Sequence, residues 1–248
     1  HLTRKDITSA VGRSIGRFHR ASRQLPSAIA DKVRGWRELH DSVLKESVVD
    51  SADEALAADP RYFGVLHGDV NSSNYFVIEE EQEKEKEEDS KLSRDEGAAA
   101  TATAHCTDVY LFDWDQIQRG WYMYDVAQVV HGAMMMQWAP GGTFMGKECK
   151  VDNIHEFIDW LVEGYESEIL QGDADPSTAD LPPVDRPHLL RMIALRREFY
   201  IRFADREVAA PTLPEGMHNF CKFIQESHKA SESRFEAFKA EFVEQHDK

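Results

Sequence analysis

The chain has 248 residues, of which 29 are Lys or Arg and 45 are Asp or Glu, so its formal net charge is −16. This acidic balance argues against a nucleic-acid or anionic-membrane partner, because binding to phosphate groups needs clustered basic side chains. Hydrophobic residues make up 42% of the chain, which excludes wholesale disorder and provides for a sizeable core.

Several patterns bear on the compartment. No apolar run reaches the roughly 18 residues that a membrane-spanning helix needs, and there is no signal peptide. The three cysteines, Cys106, Cys149 and Cys221, are odd in number and far apart. They therefore exclude a disulfide framework and indicate a reducing compartment, and we expect a cytoplasmic protein. The first residue is His1 rather than Met, so we expect a fragment of a longer protein.

Two amphipathic helices are predicted near the N-terminus. Apolar residues recur at helical spacing over residues 7–24 and again over residues 28–48. Pro26 directly precedes the second of these helices, where a proline is tolerated. The dipeptide Asp59-Pro60 then ends the helical region.

Two short β-like segments, Tyr75–Ile78 and Asp108–Phe112, follow. Residues 79–107 between them are predicted to be a low-complexity, flexible acidic insertion, and residues 79–96 alone contain ten acids and four bases. The simplest geometry is a β-hairpin whose turn has been expanded, which loop-closure entropy permits at modest cost. The alternative role of this insertion is to dock a basic partner.

Three further helices are predicted over residues 154–170, 186–208 and 217–245, and their apolar stripes are assigned to the core. No internal repeat and no clear linker divides the chain, so residues 1–248 are predicted to form one unit that carries the insertion. The predicted fold class is mainly α, a helical body with a small β-hairpin.

The polar residues suited to chemistry lie at the two ends of that hairpin. The run from His67 to Asn74 precedes the first strand, and Asp113-Trp-Asp115 follows the second. If the strands pair, Asn74 and Asp113 reach the same end, where an amide and a carboxylate oxygen are hard ligands suited to Mg²⁺. Asp69, five residues before Asn74, can accept a proton from a hydroxyl nucleophile. These are the working parts of a kinase catalytic loop.

Residues 67–74, HGDVNSSN, resemble the HGDxxxxN signature of the aminoglycoside phosphotransferase and choline-kinase-like family, which shares the protein-kinase fold. Residues 110–130 resemble the second signature of this family, a metal-binding Asp at a strand end, a Gly-aromatic turn and YD-x-A opening a helix. Weaker similarity extends over residues 11–21, 157–166 and 191–203. The resemblance implies the C-terminal lobe of a small-molecule kinase that uses ATP and Mg²⁺.

The resemblance also implies a role for each matching residue. Asp69 would be the catalytic base that orients and deprotonates the substrate hydroxyl. Asn74 and Asp113 would bind Mg²⁺ and, through it, the phosphates of ATP. His67 would brace the loop, and Asp125 would accept main-chain N–H groups from it as structural support.

Two departures from the family pattern affect the expected activity. Asn71 stands where many members have His, so it keeps a hydrogen-bond donor for a phosphate but contributes no charge. The N-terminal lobe, with its phosphate-covering hairpin, strand Lys and partner Glu, finds no match in the helical residues 1–66. The isolated chain is therefore expected to be a weak or inactive kinase. Asp115 has two interpretations, either facing the metal or pointing into solvent.

Three functions remain open at this level. The first is the C-terminal lobe of an ATP-dependent kinase that phosphorylates a hydroxyl of an amino sugar, amino alcohol or amino acid. The second is a catalytically incomplete, pseudokinase-like binding module. The third is an interaction protein whose acidic insertion binds the partner.

The acidic character of the lobe favours cationic acceptors. Four acids on the predicted helices either line such a pocket or face solvent: Glu163, Glu166, Glu198 and Asp205. A lobe without its N-terminal partner would also expose an apolar seam, which is a surface for that lobe or for self-association.

Overall fold

The computed structural model describes residues 4–44, 49–80, 106–139, 143–144, 147–148, 151–170 and 181–246. The helices, in chain order, are α1 (Lys5–Ser22), α2 (Ser27–Ala30), α3 (Trp36–Leu44), α4 (Ser51–Leu56), α5 (Tyr122–Trp138), α6 (Ile154–Ile169), α7 (Arg186–Val208) and α8 (Glu215–His246). The strands are β1 (Phe63–Leu66), β2 (Tyr75–Glu80), β3 (Cys106–Leu111), β4 (Gln118–Trp121), β5 (Thr143–Phe144) and β6 (Lys147–Glu148).

The first four strands form two nested antiparallel pairs. The inner pair joins β2 to β3, with Val77 opposite Val109, and the outer pair joins β1 to β4, with Gly64 opposite Gly120. The strand pair β5–β6 is a separate small hairpin. Because the pairs are nested, the β1–β2 connection and the β3–β4 connection start from the same end of the inner hairpin. The pairing thus brings together the two segments that carry the predicted site residues.

Helices α1 and α6 pack closely because glycine lies at their contact. A Cβ atom on Gly12 would overlap the main-chain oxygen of Leu161, and one on Gly164 would overlap that of Ser9. Helix α5 lies in the middle of the core, where Val126 and several other residues of its length are buried. Helices α7 and α8 pack together beside it. The core thus holds α5 firmly, and α5 in turn positions the site.

The mainly helical character and the β2–β3 hairpin predicted from the sequence are confirmed. The predicted helix over 28–48 is wrong as one element, because it divides into α2 and α3. Between these helices the carbonyl of Arg34 accepts the N–H of Arg119 in β4 at 2.8 Å, so this part of the chain bonds to a strand rather than continuing a helix, and the N–H of Glu38 donates to the carbonyl of Gly35. Of the predicted insertion 79–107, residues 81–105 lie outside the described residues.

Sequence analysis also missed α4, β1 and β4, each of which has only four to six residues. In the part of the chain that the structure describes, no helix combines the length and the apolar character needed to cross a membrane.

Candidate active site

A short loop, residues 67–70, follows β1 and is held by the first turn of α5. Asp125 is fully buried in that turn, and its two carboxylate oxygens accept the main-chain N–H groups of His67 and Gly68, each at 2.9 Å. The buried His19 of α1 contacts the same carboxylate, with Nε2 3.0 Å from Oδ2. Hydrogen bonds to a buried carboxylate are strong, so they fix the loop relative to α1 and α5.

Gln128 holds the same loop one helical turn further along α5. Its Oε1 accepts the N–H of Val70, and its Nε2 donates to the carbonyl of Gly68, both at 2.6 Å. Sequence analysis assigned Gln128 no role. The available signal was its position three residues after Asp125, since residues at this spacing share one face of a helix.

The loop also needs its glycine and its histidine. Gly68 has a φ angle of +83°, and a Cβ atom there would overlap the carbonyl oxygen of Gln116, so only glycine fits. His67 is fully buried, its Nε2 donates to the carbonyl of Phe112 at 2.9 Å, and its Nδ1 accepts the N–H of Asp69 at 3.3 Å. His67 therefore connects the loop to the residue that follows β3.

Asp69 and Asn74 are bonded directly. The amide Nδ2 of Asn74 donates to the main-chain carbonyl and to the carboxylate Oδ2 of Asp69, both at 2.9 Å. Asn71 serves the loop itself, because its Oδ1 accepts the N–H of Ser73 at 2.8 Å and its Nδ2 donates to the carbonyl of Asp69 at 3.3 Å. Asp69 keeps 29% of its side chain exposed, so a substrate can reach its carboxylate.

Asp113 and Asn74 lie at the same end of the β2–β3 hairpin. The N–H of Phe112 donates to the main-chain carbonyl of Asn74 at 3.1 Å and continues the pairing of β2 with β3 by one residue. Asp113 follows at once, in a left-handed conformation with φ 64°, and it is exposed to solvent. The hairpin therefore brings the two segments together.

The oxygen atoms of this pair fit a hard divalent cation. Because Nδ2 of Asn74 binds Asp69, its Oδ1 is the amide atom left for a cation, and Asp113 directly follows the residue whose N–H bonds to Asn74. Within the described ranges, no three His, Cys, Asp or Glu side chains are grouped as a metal site. A cation here would complete its shell with phosphate oxygens and water, as Mg²⁺ commonly does. Asp115 is exposed, and its main-chain carbonyl accepts a bond from Arg34 at 3.0 Å.

A buried arginine that sequence analysis missed contacts Asp69 from α7. Nη2 of Arg196 lies 3.5 Å from Oδ1 of Asp69 and donates to the hydroxyl of Tyr200 at 3.1 Å. Its Nη1 donates to the hydroxyl of Tyr124 at 3.3 Å. Arg196 is separated from Asp69 by 127 residues, and the helical pattern around it predicts only a core-facing stripe. The guanidinium of Arg196 thus places one positive charge next to the carboxylate of Asp69.

A cavity of about 310 Å³ adjoins the loop and Arg196. Residues 71–75 form one wall, and the other walls come from α5, α7 and α8. Much of the lining is apolar, including Val129, Met135, Met136 and Phe220. None of the described lining residues is Asp or Glu. Asn74 and Arg196 line this cavity and also contact the carboxylate of Asp69, which is not itself among the described lining residues.

A pair of buried histidines lies at the same cavity. Nε2 of His131, a lining residue, is 3.2 Å from Nε2 of His228, and Nδ1 of His228 donates to the carbonyl of Ile224 at 2.9 Å. Burial lowers the pKa of His228 from 6.5 to about 4, with a further contribution from Arg197. Burial, followed by the neighbouring charges, also lowers the pKa of His131 well below 6.5. Both rings are therefore neutral near pH 7.

None of the four acids considered for an acceptor pocket is among the described residues that line this cavity. Glu163 pairs with Lys5, and the carboxylate of Glu166 accepts the N–H of Val184. The remaining two also have partners on the helices, Arg202 for Glu198 and Gln225 for Asp205.

The outer face of the β2–β3 hairpin is apolar and exposed. Phe76, Ile78 and Tyr110 are 61%, 45% and 55% exposed, and the ring of Phe112 stacks on Phe76 with centroids 4.3 Å apart. This hydrophobic face begins next to Asn74 and Asp113. The seam for another lobe or for self-association stays a prediction.

Comparison with known proteins identifies a similar fold but no family. No protein-family model matches the chain, and no curated protein matches it by sequence. A kinase fold is found among solved structures, in amicoumacin kinase in complex with AMP-PNP, Ca²⁺ and Ami. The TM-score is 0.51 at 15% sequence identity, and the match covers 92% of this chain and 60% of the kinase chain. The chain is therefore kinase-like in fold and spans about 60% of the length of that kinase.

Proposed function

We propose that the chain is the catalytic lobe of a phosphotransferase that moves the γ-phosphoryl group of ATP to a hydroxyl of a small molecule. The observation that carries this proposal is the bonded pair Asp69–Asn74, in a loop fixed by Asp125, at the hairpin end where Asp113 lies. The fold likeness to a kinase that binds AMP-PNP and Ca²⁺ supports the same function.

The chemistry follows from the position of Asp69. Its exposed carboxylate would orient the acceptor hydroxyl and accept its proton as the hydroxyl oxygen bonds to the γ-phosphorus. The bond from that phosphorus to the bridging oxygen breaks, and ADP leaves with the electron pair. Arg196 holds the carboxylate of Asp69 in place, because its Nη2 lies 3.5 Å from Oδ1 of that carboxylate.

Binding of ATP would use the other end of the loop. Oδ1 of Asn74 and the carboxylate of Asp113 would hold a divalent cation, Mg²⁺ by preference, and this cation would neutralise phosphate charge. The adjacent aromatic face at Phe76 and Phe112 offers a surface on which an adenine ring can stack. An N-terminal lobe, if the natural protein has one, would cover the same face.

The test is acceptor-dependent release of ADP by the protein purified from its native source, with ATP, Mg²⁺ and a panel of small alcohols. We expect Asp69→Asn to lower turnover by about a hundredfold or more, since a general base contributes roughly 10²–10⁴-fold. Asp113→Ala should abolish Mg²⁺-dependent binding of ATP. Asp152→Asn, at an exposed position after β6, is the matched control and should change neither property.

Two results would contradict the proposal. Binding of ATP without turnover of any acceptor would indicate the pseudokinase-like binding module instead. Absence of both ATP binding and turnover would leave the acidic insertion as the functional part. In that case, deletion of residues 81–105 should abolish binding to a basic partner.

A further inference from the structure

Gly132 of α5 lines the cavity and has no role in packing. A Cβ atom on Gly12, Gly16 or Gly164 would press against the main chain of a neighbouring helix, within 2.8 Å at Gly16, whereas one on Gly132 would meet nothing within 4 Å. A glycine inside a helix costs roughly 1 kcal/mol relative to alanine. Close helix packing does not explain a glycine at position 132. The missing side chain leaves open space in the cavity beside residues 71–75.

The size and lining of this space describe its occupant. A volume of about 310 Å³ is at the lower end of the roughly 300–1,000 Å³ found for ligand pockets. The apolar walls include Val129 and Phe220, and the flexible thioether side chains of Met135 and Met136 adapt to a ring. These features favour a compact molecule with an apolar body.

The charges at the cavity disfavour a cation. Arg196 is the charged residue among the described lining residues, and its charge is balanced by Asp69 at 3.5 Å. An added ammonium group would find no further carboxylate in that lining.

The tautomers of the two histidines can be assigned from their bonds. Nδ1 of His228 carries the proton, because it donates to the carbonyl of Ile224. Its Nε2 is therefore an acceptor, and Nε2 of His131 must be the donor between the rings. Nδ1 of His131 is then left as a hydrogen-bond acceptor on a residue that lines the cavity. A hydroxyl group of the ligand can donate to it.

We infer that this cavity binds the acceptor, and that the acceptor is a compact, uncharged alcohol with an apolar body rather than a cationic amino sugar or amino alcohol. That the ligand is the acceptor rests on the proposed phosphotransfer. The choice of ligand class rests on the cavity itself. Gly132 is the residue that sets the available space.

Ligand-observed NMR with three probes of one skeleton tests the inference: phenylpropanol (uncharged), phenylalaninol (cationic) and phenyllactate (anionic). Phenylpropanol should bind wild type at least tenfold more tightly than phenylalaninol. Gly132→Leu should weaken that binding at least tenfold, because the new side chain extends into open space. Gly216→Leu is the matched control, since a Cβ atom there also meets nothing within 4 Å and Gly216 is exposed outside the cavity.

Tighter binding of phenylalaninol or phenyllactate than of phenylpropanol would overturn the inference, as would unchanged binding by a folded Gly132→Leu. The comparison of the three probes uses wild type alone, so it remains decisive if that variant fails to fold. Binding is measured without ATP, so failure of the inference is distinct from failure of phosphotransfer. Selective binding of phenylpropanol by a protein that never releases ADP would support this ligand class and contradict the proposed function.

Discussion

The side-chain amide of Asn74 donates to both the main-chain carbonyl and the carboxylate of Asp69, so one residue fixes the backbone and the side chain of another. The two residues are five positions apart in one loop. This bond orients the amide so that its nitrogen faces the base and its oxygen is left for a cation. The proposed base and the proposed metal ligand therefore depend on each other for their orientation.

Asn74→Asp tests that dependence. The substitution replaces the donor by a second carboxylate facing Asp69, so it removes two hydrogen bonds and introduces repulsion. We expect a loss of about 1–3 kcal/mol in the free energy of unfolding, measured with urea. Asn71→Asp is the matched control, because it keeps the oxygen that accepts the N–H of Ser73 and loses only the longer bond, of 3.3 Å, to the carbonyl of Asp69. Equal stability of the two variants would contradict the importance of the Asn74 bond.

Asp125→Asn should destabilise the whole loop. The amide keeps the size of the side chain but has one acceptor atom, so the N–H of His67 or of Gly68 loses its buried partner. The loss of a buried charge that contacts His19 adds to this effect. We expect about 3–5 kcal/mol in the free energy of unfolding. Asp115→Asn, at an exposed carboxylate, should change it by less than about 0.5 kcal/mol.

Alanine should have opposite effects at two glycines. Gly132→Ala adds a methyl group in open space within a helix and should raise the free energy of unfolding by about 1 kcal/mol. Gly12→Ala forces a methyl group against the main chain of α6 and should lower it by about 1–3 kcal/mol. Thermal unfolding of both variants beside wild type gives the comparison. A stabilised Gly12→Ala would mean that α1 and α6 pack less closely than described.

Stability should fall below about pH 6.5 because buried neutral histidines must take up protons. The folded-state pKa of His228 is about 4, below the usual 6.5, so between these values the unfolded chain binds more protons. The contribution of His228 to the free energy of unfolding is thus fully present above about pH 6.5. It is lost as the pH falls toward about 4, and the total loss is roughly 3 kcal/mol. Urea unfolding at several pH values should show a shallower decline for His228→Gln than for wild type. His218→Gln, at the start of α8, should retain the steep decline.

The sequence predicted those parts of the fold whose signal is local. Helices α6, α7 and α8 have long apolar stripes, and the order of the loop, hairpin and Asp113 can be read from two short motifs. Strands β1 and β4 have four residues each, and each contains a glycine, so no alternation is visible. The break between α2 and α3 lies where Arg34 bonds to β4, which is distant in sequence.

The supporting residues of the site were hidden for the same reason. Gln128 and Arg196 lie on helices and contact a loop that precedes them by 58 to 127 residues, and His131 lies on α5 and lines the cavity. In the sequence each interrupts or borders an apolar stripe, which predicts a core position and gives no indication of a partner. The nested strand pairs and the packing of α5 and α7 bring these residues to the loop and the cavity. The expectation of a cationic acceptor rests on the charge of the whole chain and stays a prediction, whereas the ligand class inferred above rests on the lining of one cavity.

The nested pairing has a practical consequence at the far end of the hairpin. Glu80 lies opposite Cys106, so the chain leaves β2 and enters β3 at adjacent positions, with 25 residues of sequence between them. Paired residues of antiparallel strands are about 5 Å apart. A foreign domain with neighbouring termini, such as a fluorescent reporter, could therefore be spliced between these two residues. The loop that holds Asp69 precedes the other end of the hairpin, so the length of the inserted domain should not affect that loop.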